Sequence, residues 1–267
     1  MNIGALVPIR LLSERLPNKA LLKINGRPVC FHLFDQIFAS RYISSKKQIV
    51  VCTTRQKSDD LLVEAAHDYG CSIFRGHPDD IIDRFYSAMT ELNLDLVIQV
   101  DGDDPLSSTE YMDMTMETLM ADPELDIVTI TGLPLGCATK SFSLNAVKII
   151  KSAYLTEKND TGFIYYFTKT NLCRHYELIC LNPCHQHKTA RLTMDYREDF
   201  ELFKVLLETL KRDDVPLTLD EVVAFLNKNP LIANLNVKVE NEYWRRTREK
   251  VKLQYKSLNG QVIVINL

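Results

Sequence analysis

The chain has 267 residues, 46 % of them hydrophobic and 25 % charged, with 35 acidic against 32 basic side chains for a net charge of −3. This is the composition of a folded globular protein rather than a disordered, collagen-like or coiled-coil one, and the length suffices to bury a core without disulfides or metal. A charge of −3 has no general pull on a polyanion, no apolar run nears the roughly 18 residues of a bilayer span, and residues 1–8 do not read as a signal peptide, so neither nucleic acid nor a membrane is an expected partner. Seven cysteines, an odd number scattered mostly inside apolar segments, point to a reducing cytoplasm rather than a disulfide framework.

Short runs rich in Val and Ile predict buried strands over residues 3–8, 48–53, 72–74, 94–100 and 126–130. Apolar residues at three and four spacing predict amphipathic helices between them, over 29–39, 58–69, 80–92 and 110–120. Strict alternation implies crossover connections. The predicted fold class is therefore α/β, a mostly parallel sheet with helices on both faces and ligands at the carboxyl ends of its strands.

Gly132-Leu133-Pro134-Leu135-Gly136 breaks the pattern. Residues 133–184 are predicted to leave the sheet as an inserted subdomain, with helices over 145–154 and 161–172 and no strong strand between them. The chain returns as strands over 176–181 and 189–194, the second feeding a helix over 198–211. Thr218 with Glu221 three residues on has capping-box spacing and opens a helix over 219–227. Residues 1–229 thus read as one domain. The extension 230–267 carries a basic helix over 242–256 and a weakly alternating strand over 261–267.

Two segments carry chemistry. The first strand runs into Pro8-Ile9-Arg10-Leu11-Leu12-Ser13-Glu14-Arg15-Leu16-Pro17-Asn18-Lys19, three cations within ten positions at a strand's carboxyl end. Arginine offers planar, bidentate donors to phosphate oxygens and lysine a compact charge, so the loop suits a polyphosphate; a solvated basic loop explains the composition equally well. The glycine spacing of a Walker loop or a dinucleotide fingerprint is absent. In the second segment Asp101, Asp103 and Asp104 follow an apolar strand. Hard oxygen ligands beside a triphosphate loop suit Mg²⁺ held by one or two carboxylates plus substrate phosphates, while a structural reading has Asp101 and Asp103 capping the next turn.

Together these motifs resemble those of the CMP-sugar synthetases, or cytidylyltransferases, nearest the spore-coat polysaccharide branch and related to the CMP-Kdo and CMP-sialate enzymes. Pro8, Arg10, Ser13, Arg15, Leu16, Pro17 and Lys19 match the family's opening. Residues 22–28 are similar to its short strand and turn, Arg75-Gly76 with Asp79, Asp80, Asp83 and Arg84 to a helix-opening motif, and Gly102-Asp103 with Pro105 to its Gly-Asp-x-Pro. Arg191-Leu192-Thr193-Met194-Asp195 with Glu198-Asp199 is similar to its last motif; Glu198 and Asp199 also suit the first turn of a helix.

The resemblance spans residues 1–211 and implies a nucleotide-diphospho-sugar transferase-like fold. It further implies a reaction in which an acceptor oxygen attacks the α-phosphorus of CTP and pyrophosphate leaves. Arg10, Arg15, Lys19 and Asp103 are then expected to be catalytic, with Pro8, Ser13, Arg84 and Asp101 joining Arg10, Arg15 and Lys19 as nucleotide contacts. Asp103 and Asp195 would hold Mg²⁺. Over 133–184 the chain departs from the family: Lys140 stands where the branch has Glu. Lys140, Thr161, Phe163 and Arg191 are the expected acceptor contacts. The expected acceptor is an acidic sugar for a surface polysaccharide precursor, with a phosphonate or phosphate as the alternative. A homodimer through 133–184 is expected from the family and from Tyr165-Tyr166-Phe167.

Rival readings are weaker. A metal-dependent glycosyltransferase would share the sheet and carboxylates but lack the arginine-rich loop, and a non-catalytic nucleotide-binding protein has no need of both metal aspartates. Cys173, Cys180, Cys184, His185 and His187 could ligate zinc, but no Cys-x-x-Cys knuckle is present.

Overall fold

A computed structural model describes residues 1–156, 158–212 and 215–266. In chain order the elements are β1 (Ile3–Pro8), β2 (Lys23–Ile24), β3 (Arg27–Pro28), α1 (Val29–Phe38), β4 (Ile49–Thr54), α2 (Asp60–Tyr69), β5 (Ser72–Gly76), α3 (Ile81–Glu91) and β6 (Leu96–Gln99). They continue with α4 (Thr109–Ala121), β7 (Ile127–Thr131), β8 (Lys140–Ser143), α5 (Leu144–Ala153), α6 (Ile164–Thr168) and β9 (His175–Ile179). The last are α7 (Arg197–Leu210), α8 (Leu219–Lys228), α9 (Pro230–Ala233), α10 (Glu240–Lys250), β10 (Lys252–Lys256) and β11 (Val262–Asn266).

Seven strands form one sheet in the order β5-β4-β1-β6-β8-β7-β9, all parallel except β8. Alternate residues of the central strands face opposite sides, and both sides are covered. Ala5, Val7 and Val51 meet Leu33, Phe34 and Ile37 of α1, while Leu6, Val50 and Val97 meet Phe85 and Met89 of α3 and Val147 of α5. A third cluster joins α7 and α8 to Ile130 and Leu192 near the β9 side. The carboxyl ends of β1, β5 and β6 therefore open on one edge, where the cation loop, residues 77–80 and residues 101–104 emerge. Among the described residues no helix is long and apolar enough to cross a membrane.

Several expectations are corrected. Residues 133–184 do not leave the sheet without a strand: Lys140–Ser143 enters it as β8, antiparallel between β6 and β7, although Phe142 is its only large apolar residue. Residues 189–194 do not form a ladder strand. They run extended against the 135–137 turn, joined by a single bridge between Leu135 and Arg191 and by the Leu192 amide donating to the Leu135 carbonyl at 2.7 Å. The helix expected over 161–172 shrinks to α6, and two aromatics of the expected dimer contact, Tyr166 and Phe167, lie in the chain's own core.

The basic helix expected to reach residue 256 ends at Lys250. Beyond it Val251, Leu253 and Tyr255 alternate with Lys252, Gln254 and Lys256, a period of two that makes β10. The hairpin of β10 and β11 packs those three apolar side chains into the core under α3 and α5, and the Leu155 amide donates to the Gln254 carbonyl at 2.8 Å. Leu267, the end of the strand expected over 261–267, lies outside the described residues.

Gly136 has φ +93°, and a Cβ built on it would lie 2.1 Å from the Leu192 carbonyl oxygen. Only glycine combines that backbone with that approach. Gly136→Ala is therefore expected to lower stability by about 1–3 kcal/mol. Urea unfolding checks it, and an unchanged midpoint would show that residues 192–194 do not rest on this turn.

Candidate active site

A cavity of about 820 Å³ lies at the carboxyl edge of the sheet, lined by the cation loop, residues 101–104, Lys140, residues 160–165, Asp195 and α10. The loop reaches it because Asn18 adopts φ 55°, a left-handed conformation that asparagine tolerates. Gly102 lets the β6 loop press against it: a Cβ there would stand 2.2 Å from Ile9 Cγ1.

At the cavity floor Lys19 Nζ donates to Asp103 at 2.7 Å and to Asp195 at 2.9 Å, and Arg15 pairs with the same Asp195 carboxylate. Burial works against the Lys19 charge, yet the two carboxylates more than offset it and hold the ammonium above its usual range. Burial likewise opposes the Asp195 charge, but Lys19, Arg15 and Arg191 bring its carboxyl down to about 2. Asp103 behaves oppositely: burial and the nearby Asp195 and Asp101 outweigh Lys19 and push it up. Asp104, buried beside Asp103 and Asp101, is pushed up further. The floor holds more carboxylates than it comfortably ionises.

Asp195 sits on a buried support. Arg191 donates to it at 3.3 Å and to Asp199 at 3.0 Å, and Asp199 accepts the amides of Asp195 at 2.8 Å and Tyr196 at 2.9 Å. Asn236 completes the group with bonds to Asp199 and the Arg191 carbonyl. Arg191, expected at the acceptor, is 1 % exposed and lies beneath Asp195 instead of lining the cavity. The Met194 amide donating to the Asp103 carbonyl at 2.8 Å ties the two aspartate segments together.

Register places Lys140. Because β8 is antiparallel, its first residue pairs with Gln99 at the end of β6, and Lys140 Nζ lies 2.6 Å from Asp101. Its charge is thus taken up inside the cavity. Arg10 pairs with Asp79 and Asp160, Thr161 lines the wall, and Phe163 lines it while packing edge-on against Phe85. Pro8 and Ser13 line it as well. Arg84 is 2 % exposed, its Nε and Nη1 find no hydrogen-bond partner among the described residues, and burial lowers the pKa of its guanidinium. Room for it comes from Gly76, where a Cβ would meet Arg84 Cγ at 2.6 Å. The sequence reading missed the wall of α10, formed by Tyr243, Trp244, Arg246, Thr247 and Lys250, whose spacing on one helix face was the available signal. The zinc reading finds no open donor at His185, whose ring nitrogens lie 2.7 Å from Tyr111 Oη and 3.1 Å from Asn182 Nδ2.

A family model described as cytidylyltransferase matches residues 4–243. The uncharacterized protein MJ1063 of Methanocaldococcus jannaschii is 31 % identical over 253 residues, covering 93 % of this chain and all of that one. The spore coat polysaccharide biosynthesis protein SpsF of Bacillus subtilis is 24 % identical over 86 % of this chain and 95 % of its own. Among solved structures, a cytidylyltransferase from Leptospira borgpetersenii superposes with a TM-score of 0.79 at 24 % identity, over 87 % of this chain and 97 % of that one, and so shares its fold.

The support beneath Asp195 yields a test. Asp199→Asn leaves Arg191 short of a buried counter-charge and is expected to cost about 3 kcal/mol of stability. Thermal and urea unfolding measure it; wild-type stability would mean the Arg191 group does not hold the floor together.

Proposed function

The chain belongs to the cytidylyltransferase family and is a CTP-dependent nucleotidyltransferase; on that premise we propose that it transfers the cytidylyl group of CTP to an anionic acceptor, an acidic sugar or a related acid, and releases pyrophosphate. The proposed product is an activated precursor for a surface polysaccharide. The observation that carries this reading is the floor itself: one ammonium shared by Asp103 and Asp195, with Arg15 on the same carboxylate.

The loop's cations would neutralise the triphosphate and the leaving pyrophosphate, while Arg191 and Asp199 hold Asp195 in place, so catalysis is mostly positioning and charge stabilisation. Asp103 and Asp195 would hold Mg²⁺. Their fit rests on the donor set, hard carboxylate oxygens crowded enough that Asp103 resists ionisation, which a divalent cation relieves. Bound there, Mg²⁺ would supply charge stabilisation to the phosphate oxygens. A reducing cytoplasm suits six buried thiols among seven cysteines. A homodimer belongs to the proposal on different grounds from the aromatic run: β9 is an outer strand of the sheet and Tyr176, Ile179 and Leu181 near it are exposed.

Asp103→Asn and Asp195→Asn are each expected to lower pyrophosphate release roughly a hundredfold or more, and Lys19→Ala to weaken CTP binding by calorimetry. Wild-type turnover in either folded aspartate variant removes the metal assignment. A panel of acidic sugars, phosphonates and phosphates under each of the four NTPs identifies acceptor and base; release with none of them ends the reading. For the dimer, light scattering is expected to give twice the chain mass, and a monomer mass at micromolar concentration overturns it.

A further inference from the structure

The family model ends at residue 243, yet the cavity wall continues through residue 250. Helical spacing explains how: Tyr243, Arg246, Thr247 and Lys250 fall three, four and seven residues apart on one face, which with Trp244 turns toward the cavity. Arg245 is taken up by Glu242 and Glu249. No residue of α10 is buried, so its inward face carries charge and aromatic rings in place of the apolar stripe of a packing helix. The helix is nonetheless anchored. Arg191 lies 4.3 Å from the Tyr243 ring centroid, and Val251 crowds Gly162 so closely that a Cβ there would be 2.6 Å away.

The cations of this face differ from those of the floor. Lys19, Arg15 and Lys140 are matched by carboxylates within the cavity. Arg246 donates to Glu14 at 2.7 Å, a carboxylate 77 % exposed, and also draws down the carboxyl of Glu242, which Arg245 already holds; among the described residues its buried Nε has no acceptor. Lys250 has no ion-pair partner among the described residues, although it draws the Glu14 carboxyl down. An exposed carboxylate is a weak and exchangeable partner.

We propose that Arg246 and Lys250 form an anion subsite for the acceptor, taking a carboxylate, phosphate or phosphonate group that the acceptor carries besides the oxygen that attacks CTP. This deepens the reading above and rests on its anionic acceptor. The acceptor's anion displaces Glu14 from Arg246, and Trp244 sits in the same wall. Lys140, neutralised by Asp101, is not the group that selects the anion.

Trp244 is the only tryptophan, so its emission reports on this wall. The test fills the triphosphate loop with the α,β-methylene analogue of CTP, which cannot be cleaved there. Inorganic phosphate, methylphosphonate and gluconate are then titrated at constant ionic strength. At least one is expected to change the emission saturably, and Arg246→Gln combined with Lys250→Met to weaken that binding about tenfold while the analogue's affinity by calorimetry stays within about threefold. Glu14→Gln is expected to keep or tighten the anion, since it frees Arg246. The relative affinities separate a phosphate-type group from a carboxylate. No saturable change with any probe, an unaffected double variant, an equal loss for the analogue, or a Glu14→Gln loss as large as the double variant's would each overturn the subsite. Pyrophosphate release is scored separately: anion binding on α10 without release removes the reaction and leaves the subsite.

Discussion

Everything at the carboxyl edge of the sheet answers to one electrostatic constraint: carboxylates from two distant parts of the chain, Asp103 and Asp195, are brought together out of bulk water and share the Lys19 ammonium. Leaving one buried charge unpaired costs several kcal/mol, so the geometry around the triad has little freedom. Gly102 is small because the β6 loop must touch the loop that delivers Lys19, and Gly136 because the segment carrying Asp195 must pass over it. Arg191, Asp199 and Asn236 then fix Asp195 from below.

In the function proposed above, the same pairing would set what the cavity does when substrate arrives. On the proposed reading the loop's positive charges would already sit where a triphosphate needs them, each oriented by a carboxylate, so binding would exchange partners instead of gathering scattered side chains. Preorganisation of this kind keeps the reorganisation cost of charge stabilisation low. The carboxylates released by such an exchange would be the ones offered to a divalent cation, and nucleotide and metal binding would then be linked through shared counter-charges. The α10 wall stands outside this exchange. Its cations face the cavity with an exposed carboxylate, Glu14, in place of the carboxylates that hold the floor, so the two sides of the site are tuned separately.

How much of this was legible depended on how much of each signal was local. Strands β1, β4 and β6 were readable because both faces are buried and Val and Ile run together, and the cation loop and the 101–105 segment because residue type and spacing suffice. Strand β8 was hidden by Lys140, Ser141 and Ser143: its pairing is decided by β6 and β7, which bury Ser141 and Phe142 completely. Lys140 could be singled out, but its partner Asp101 follows only from an antiparallel register. Residues 189–194 look like a strand because Ala190, Leu192 and Met194 alternate with Arg191 and Thr193, yet residues 190–194 are buried against a turn and a loop and have no ladder to join. The role of α10 went unread because the family likeness stopped short of it and attention fell on its net charge in place of the 243, 246, 247, 250 face.

Strand β8 also constrains the order in which the molecule can be made. It fills the space between β6 and β7, both of which leave the ribosome earlier, so until residue 143 has emerged β6 has an unpaired edge built from Val97 and Ile98 and β7 has no place in the sheet. The half of the sheet made of β5, β4, β1 and β6 has all its strands by residue 99 and can assemble first, as an open sheet with a sticky margin. Closure then requires a hydrophilic strand with a single phenylalanine to dock between two apolar ones. The step that joins β7 to the rest of the sheet is the one that carries Lys140 to Asp101, so a chain stalled before it has both an aggregation-prone edge and an unfinished site.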